Sequence, residues 1–339
     1  MHLHKKLSMN YPIIQAPMAG VTTPEMVIAS LEAGILGSIG AGYMSADSTR
    51  DFIRQVKKYS SKPFLINLFA HEVPPVVQHE ITIAKQALID AKIDNQIKRD
   101  EVKLSKSQYD EQLAVVLEEG VAACSFTFGA PTPLQIRLLR EKGILIFITA
   151  TSLEEVHVAN QLDVDGIFLQ GMEAGGHRGS FIEPFQYIPL KDLFTQAKDI
   201  TNIPLIVAGG IATKKQMDWY LNQGAEAITL GTTLLVSDES GAPSAHKERI
   251  LCAETDETVL TKMFSGKPAR GIMNSFIEKM EMMPVAPFPY QNDLTKGVRA
   301  RAAFANNSEN MSLWAGTNLH HTMKGTIREI IERFVHADL

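Results

Sequence analysis

Cysteine is nearly absent: Cys124 and Cys252 are the only two in 339 residues. Two thiols cannot build a disulfide framework, and no Cys-x-x-Cys or Cys/His spacing suited to a metal occurs. That scarcity fits a reducing, cytoplasmic setting. Apolar runs of membrane-spanning length are also missing, since the stretch 28–41 is interrupted by Glu32 and several glycines. Residues 1–10 carry Lys5 and Lys6 but lead into Tyr11-Pro12-Ile13-Ile14-Gln15-Ala16-Pro17. No continuous hydrophobic segment follows, so no signal peptide is expected. Neither sign of charge dominates. The 33 Lys and Arg against 38 Asp and Glu leave a formal charge of -5, which argues against a general nucleic-acid or anionic-membrane binder. The chain has no Gly-x-Ser-x-Gly elbow, no P-loop and no His-Glu-x-x-His. His2, His4, His320 and His321 lack a credible set of partner ligands, so no metal site is expected.

What is present is an ordinary globular composition, 45% hydrophobic and 21% charged, long enough for one large domain or a domain plus an insertion. Short apolar runs recur at 12–16, 36–39, 63–68, 122–126, 145–149, 166–169, 205–208 and 227–230. Several are hydrophobic throughout, as parallel strands buried on both faces require. Amphipathic segments lie between them at 24–33, 134–142, 153–161 and 214–223. Cap-like Thr23, Ser152 and Thr213 mark starts, and Gly34, Gly143 and Gly224 mark ends. Eight strands with intervening helices in about 230 residues match a (β/α)8 TIM barrel. A doubly wound sheet is disfavoured, because Gln15-Ala-Pro-Met-Ala-Gly20 follows the first strand where a Gly-x-Gly-x-x-Gly fingerprint belongs. The barrel is assigned to 1–236 plus 300–339, with a charged, solvated helical excursion at 70–120. A proline-bearing cap or insertion at 237–299 follows the eighth strand, and a closing helix is expected at 326–336.

Three constellations could carry chemistry. After the sixth strand comes Gln170-Gly-Met-Glu-Ala-Gly-Gly-His-Arg-Gly-Ser180. Its paired Gly175 and Gly176 let the backbone approach a flat or anionic ligand, and His177 can serve as a base or a donor. After the seventh and eighth strands come Ala208-Gly209-Gly210-Ile211 and Leu230-Gly231-Thr232, where barrels commonly bind a phosphate. At the ends of the first and third strands, Met18 and Asn67 offer an apolar platform and a directed amide, a mixture suited to a flat heterocycle. For Gln15, burial within the barrel is as good a reading as ligand contact. Ser125-Phe-Thr-Phe-Gly129 would set aromatics over the pocket mouth, and Cys124 reads as a buried apolar residue.

Together with Phe264-Ser-Gly-Lys-Pro-Ala-Arg-Gly271 and Ser312-Leu-Trp-Ala-Gly316, these motifs resemble the nitronate monooxygenases, FMN-dependent (β/α)8 enzymes. The loop around His177 and the Ser-Leu-Trp-Ala-Gly tail resemble the class I branch. The resemblance implies that Met18, Asn67 and Gln170 contact the flavin, and that Gly175, Gly210 and Thr229, Leu230, Gly231 and Thr232 hold its ring edge and phosphate. It makes His177 the active-site histidine, acting on a small nitronate with O2, without nucleic acid or membrane partners. One departure is Thr317-Asn318, where the family usually has Gln-Gly. A mildly acidic protein cannot draw an anion by net charge, so a partly protonated His177, Arg178 and the glycine-loop N–H groups are expected to attract it locally. The alternatives are an FMN-dependent enoyl-[acyl-carrier-protein] reductase using NAD(P)H and a non-redox barrel that binds a phosphate ligand. Oligomeric state stays open between monomer and homodimer.

Overall fold

A computed structural model of the chain describes residues 3–336, so His2 lies outside it. The eight expected strands are all present, as β1 (Ile13–Gln15), β2 (Ser38–Gly40), β3 (Leu65–Phe69), β4 (Ala123–Thr127), β5 (Leu145–Ala150), β6 (Gly166–Gln170), β8 (Leu205–Ala208) and β9 (Ala227–Leu230). All pair in parallel, in the order β1-β9-β8-β6-β5-β4-β3-β2. A further parallel bridge, Ile14 to Leu36, closes the ring. The Gln15 amide reinforces that seam: its Oε1 accepts from Ser38 N at 3.1 Å, and its Nε2 donates to Ser38 O at 3.1 Å. Gln15 is therefore a closure residue.

Side-chain alternation sorts each strand into an inner and an outer set. Ile14, Leu36, Leu65, Ala123, Phe147, Phe168, Ile206 and Ala227 form one apolar layer inside the barrel, sealed below by Leu3, Leu7 and Met9. Their neighbours, among them Ile66, Cys124, Ile146, Ile167, Val207 and Ile228, face the surrounding helices. Burial pushes the Cys124 thiol far up, so it stays an inert core group. The helices begin where their caps predict. Thr23, Ser152 and Thr213 accept from backbone N–H groups three residues on, Thr213 in a full capping box with Gln216. Gly34, Gly143 and Gly224 follow the helix ends with φ of 82°, 69° and 97°, conformations that favour glycine.

The excursion at 70–120 supplies the helices Gln78–Asp90 and Tyr109–Glu119. It does not stand alone in solvent. Ile81, Ala84, Leu88, Ile93 and Ile97 share a second core with Phe264, Phe276, Ile277, Met280, Leu294 and Val298 of the segment after β9. Arg301 fastens the junction, reaching Asp94 at 2.6 Å and Asp100 at 2.8 Å. The helix Tyr290–Phe304 runs through the expected break at 299/300, with Tyr290, Leu294 and Val298 in this second core and Ala302 in a neighbouring cluster. The same segment contributes β10 (Thr258–Thr261) and β11 (Ala269–Ile272), and β11 pairs antiparallel with a short β7 (Gly176–His177). The helix Ile327–His336 completes the barrel wall. Among the described residues, no helix is long and apolar enough to cross a membrane.

Phe276 and Phe264 stack at 4.0 Å with both side chains buried. Phe276→Ala should lower unfolding stability by about 3–5 kcal/mol in denaturant titration. A loss below about 1 kcal/mol would show that this second core contributes little.

Candidate active site

Above the apolar layer, the inward positions turn polar. Asn67 donates from Nδ2 to Ser125 Oγ and to Thr127 Oγ1, both at 2.9 Å, and Thr127 lies 3.2 Å from Thr149, hydroxyl to hydroxyl. These groups form the floor of a cavity at the C-terminal end of the barrel. The expected site residues Met18, Asn67, Gln170, Gly175, Gly176, His177, Gly209, Gly210, Thr229, Gly231 and Thr232 all line it. Leu230 does not, because it is the outward neighbour of Thr229 and sits fully buried among the helices. Strand alternation excludes adjacent side chains from one pocket.

The tail after Trp314 straps the glycine loops together. Gly316 N donates to Thr232 Oγ1 at 2.9 Å, and Thr317 N donates to Glu173 O at 3.0 Å. Asn318 donates from Nδ2 to Gly210 O at 2.6 Å. Gly209 and Gly210 have φ of 129° and 65°, which only glycine adopts readily. A Cβ on Gly175 would lie 2.5 Å from the backbone of the same tail. Thr229 Oγ1 is buried in the cavity wall without a hydrogen-bond partner among the described residues. A buried hydroxyl left unpaired is costly, and a ligand oxygen would satisfy it.

His177 enters the cavity from β7, half-buried, with its ring edge-on to Phe128, Phe288 and Trp314. Phe128 thus lines the cavity, whereas Phe126 points into the core. Gln170 holds the loop, donating to His177 O at 3.0 Å and accepting from Gly179 N at 2.8 Å. The buried Glu155 accepts from Phe181 N and Ile182 N at 2.6 and 3.1 Å, fixing the far end. Ser265 Oγ sits 2.8 Å from His177 Nε2 and 3.1 Å from Lys267 O. With the hydroxyl proton directed to that carbonyl, Nε2 carries the ring proton and donates to Ser265, which leaves the lone pair on Nδ1.

Two electrostatic expectations are corrected. Burial first, then the nearby charges of Lys267 and Arg299, push the His177 pKa down to about 3. The ring is therefore uncharged at neutral pH, not partly protonated. Arg178 faces inward and is buried, donating to the carbonyls of Gln170, Gly171 and Gln186. It organises the end of β6 and is not part of the cavity wall. Positive charge near the cavity comes instead from Lys267 and Arg299. Lys267 has its pKa lowered by burial to about 8, and burial also lowers that of Arg299 against the opposing influence of Tyr43 and Asp293.

Reading the sequence singled out none of Tyr43, Phe288, Trp314, Ser265 or Arg299 as a site residue. Tyr43 and Trp314 line the cavity, and the others surround His177 or the adjoining space. Their only sequence signal was that Ser265 and Trp314 lie within motifs; nothing marked the direction of their side chains.

His71 and His246 share the behaviour of His177, with pKa values lowered by burial to about 4. His246 also donates from Nε2 to Trp314 O at 3.0 Å. Each of the three folded values lies below the unfolded value of about 6.5. The unfolded chain therefore takes up protons on acidification that the folded chain does not. Unfolding free energy should fall as pH drops from 6.5 towards 3–4, and the fall should be shallower in His246→Gln. Denaturant titrations at pH 7.5, 5.5 and 4.5 check this; no change below pH 6.5 would contradict neutral burial.

Comparisons with known proteins agree with this geometry. A family model described as "Nitronate monooxygenase" matches residues 1–337. A protein of Bacillus subtilis called "Probable nitronate monooxygenase" is 35% identical, with 99% of this chain and 98% of that protein covered. One of the same description from Staphylococcus saprophyticus is 39% identical over 91% of this chain and 89% of its own length. Among solved structures, a nitroalkane oxidase from Streptomyces ansochromogenes superposes with a TM-score of 0.91 at 32% identity, covering 99% of this chain and 97% of its own. FabK from Thermotoga maritima gives 0.78 at 27% identity, covering 98% and 94%. Matched over nearly its whole length, and with its histidine loop and strapped glycine loops gathered around one cavity, the chain belongs to the nitronate monooxygenase family of oxidoreductases.

Proposed function

We propose that this protein oxidises alkyl nitronates, such as propionate 3-nitronate, with FMN and O2, giving a carbonyl compound and nitrite or nitrate. The observation that carries the reading is an uncharged histidine set in the same cavity as the glycine loops after β8 and β9. These residues fit a flavin. Gly209, Gly210, Gly231 and the unpaired Thr229 hydroxyl suit its phosphate, while Met18 and its apolar neighbours suit the ring face. Asn67 has its Nδ2 committed to Ser125 and Thr127, which leaves Oδ1 for a donor on the ligand. Bound FMN would accept electrons from the substrate and pass them to O2.

The protein's own residues supply orientation, field and a proton site. A nitronate is already electron-rich at carbon, so its oxidation needs no base. Lys267 and Arg299 favour the anion electrostatically, since the neutral imidazole contributes no charge of its own. Phe128, Phe288 and Trp314 limit water at the reacting end. For a neutral nitroalkane, the proton on carbon must first be removed. His177 Nδ1 is the acceptor, with Ser265 steadying the opposite nitrogen.

Oxygen consumption on propionate 3-nitronate and on its parent 3-nitropropionate provides the test. In His177→Ala with FMN bound, turnover of the nitroalkane should fall by about 10²–10⁴. Turnover of the nitronate should fall by less than about tenfold. Equal losses would remove the base role. A protein that stays colourless after reconstitution with FMN, or whose flavin is bleached rapidly by NADPH without air, would overturn the whole reading.

Asn318 stands at φ 67°, which glycine also tolerates. Asn318→Gly should therefore delete the bond to Gly210 with little backbone cost. The Kd for FMN, read by fluorescence titration of the apoprotein, should rise about fivefold. An unchanged Kd would show that the strap does not order the phosphate loop.

A further inference from the structure

The turn Ser265-Gly266-Lys267 lies against the strand that carries His177. Gly266 stands at φ 83°, and a Cβ there would collide with Ala286 O, so the turn keeps one shape. Pro268 O accepts from Arg178 N at 2.8 Å, and Lys267 O accepts from Ser265 Oγ at 3.1 Å. The backbone of Lys267 thus settles the hydroxyl that receives the His177 ring proton. Its side chain does something else.

The Lys267 ammonium lies 4.6 Å from the ring centre of Phe128 and 4.7 Å from that of Phe185, and Nζ donates to Ser180 O at 2.9 Å. Burial brings its pKa down to about 8, which leaves the group charged at neutral pH. Of the titratable groups around it, Glu155 and Glu183 favour that charge through space, while His71 and His177 are held neutral by it. Glu155 spends its oxygens on Thr151, Phe181 and Ile182, and Glu183 is exposed. Phe128 is itself unusual, because its φ of 68° is a left-handed conformation that a bulky residue seldom adopts. Its ring lines the cavity and meets His177 edge-on at 6.0 Å between centres. One strained residue therefore sets a single aromatic ring against both the ammonium and the imidazole.

An ammonium in this place acts differently on the two forms of a nitro substrate. A nitronate arrives with its negative charge complete, and the field of Lys267 favours it outright. A nitroalkane must first pass a proton from carbon to His177 Nδ1, the C–H electron pair staying on the new nitronate. That transfer makes an anion, which Lys267 stabilises, and an imidazolium, which Lys267 opposes. The two effects offset each other, so the un-ionised substrate gains little. We propose that Lys267 is the residue that selects ionised nitro substrates over their neutral parents. The inference rests on the proposed nitronate oxidation and names a discriminating residue within it. Lys267 acts through the Phe128 ring and through space, behind the cavity wall, so it is a specificity residue and not a catalytic one.

The test sets ethyl nitronate against nitroethane, which differ by one proton on carbon. Methionine is unbranched and packs well against rings, so Lys267→Met fills the slot without charge. In that variant kcat/KM for ethyl nitronate should fall about tenfold, whereas that for nitroethane should fall by less than about threefold. Lys267→Arg should restore most of the nitronate loss. His177, followed by NMR, should take up its proton at higher pH in Lys267→Met than in the wild type, a shift that lost packing alone would not produce. A readout without turnover uses nitrate, a planar nitrogen oxyanion, against chloride at equal ionic strength. Nitrate should raise the melting temperature of the wild type and Lys267→Arg saturably, and that of Lys267→Met only at about tenfold higher concentration. Nitrate protection that depends on Lys267, in a protein inert towards nitronates, would sink the nitronate reading and keep the anion selection. Equal losses on the two substrates, an unmoved His177 titration, or nitrate protection indifferent to Lys267→Met would overturn the assignment.

Discussion

Period-two alternation along eight short strands is the constraint on which the rest of the molecule depends. One inward set, from Ile14 to Ala227, fills the lower barrel with apolar side chains. Two residues further along several strands, the inward position is polar, as at Asn67, Ser125, Thr149, Gln170 and Thr229. The lower layer excludes water and supplies stability, while the upper one leaves a space with directed hydrogen-bonding groups. Both come from the same backbone geometry, so a one-residue slip in any strand would exchange core for cavity. Leu230 illustrates the rule, since it adjoins Thr229 in sequence and points the opposite way.

The site is held from outside the barrel as much as from within it. Gln170, Glu155 and Arg178 fasten the His177 loop through backbone partners, and β11 pairs with His177 itself. The tail at 314–318 crosses three loops and ties them with one hydrogen bond each. These bonds preorganise a cavity whose glycines alone would be mobile. The same surroundings remove charge from the histidine. Its environment is aromatic and carries two nearby cations, and both features oppose protonation.

Much of this was legible in the primary structure because it depends on local patterns. Eight apolar runs bounded by Gly, Pro and Asp report buried parallel strands, and Thr213 with Gln216 reports a helix start. The glycines after the seventh and eighth barrel strands report close approach of a backbone to a ligand. Arg178, by contrast, looked like a site residue because it follows His177, yet adjacent residues point in opposite directions. Arg299 and Ser265 were not legible as site residues, since each acts through partners that are distant in sequence.

The division between the two kinds of information follows from range. The sequence by itself determined the strands, their caps, the loops that carry chemistry and the family, because each is written in neighbouring residues. Only the tertiary structure decided the ionisation of His177, the inward turn of Arg178 and the joining of the 70–120 excursion to the later segment in one second core. It also decided that Lys267 and Arg299 lie close enough to His177 to oppose its protonation. Burial, the field of distant charges and the pairing of remote segments are sums over space, and a local pattern holds no record of them.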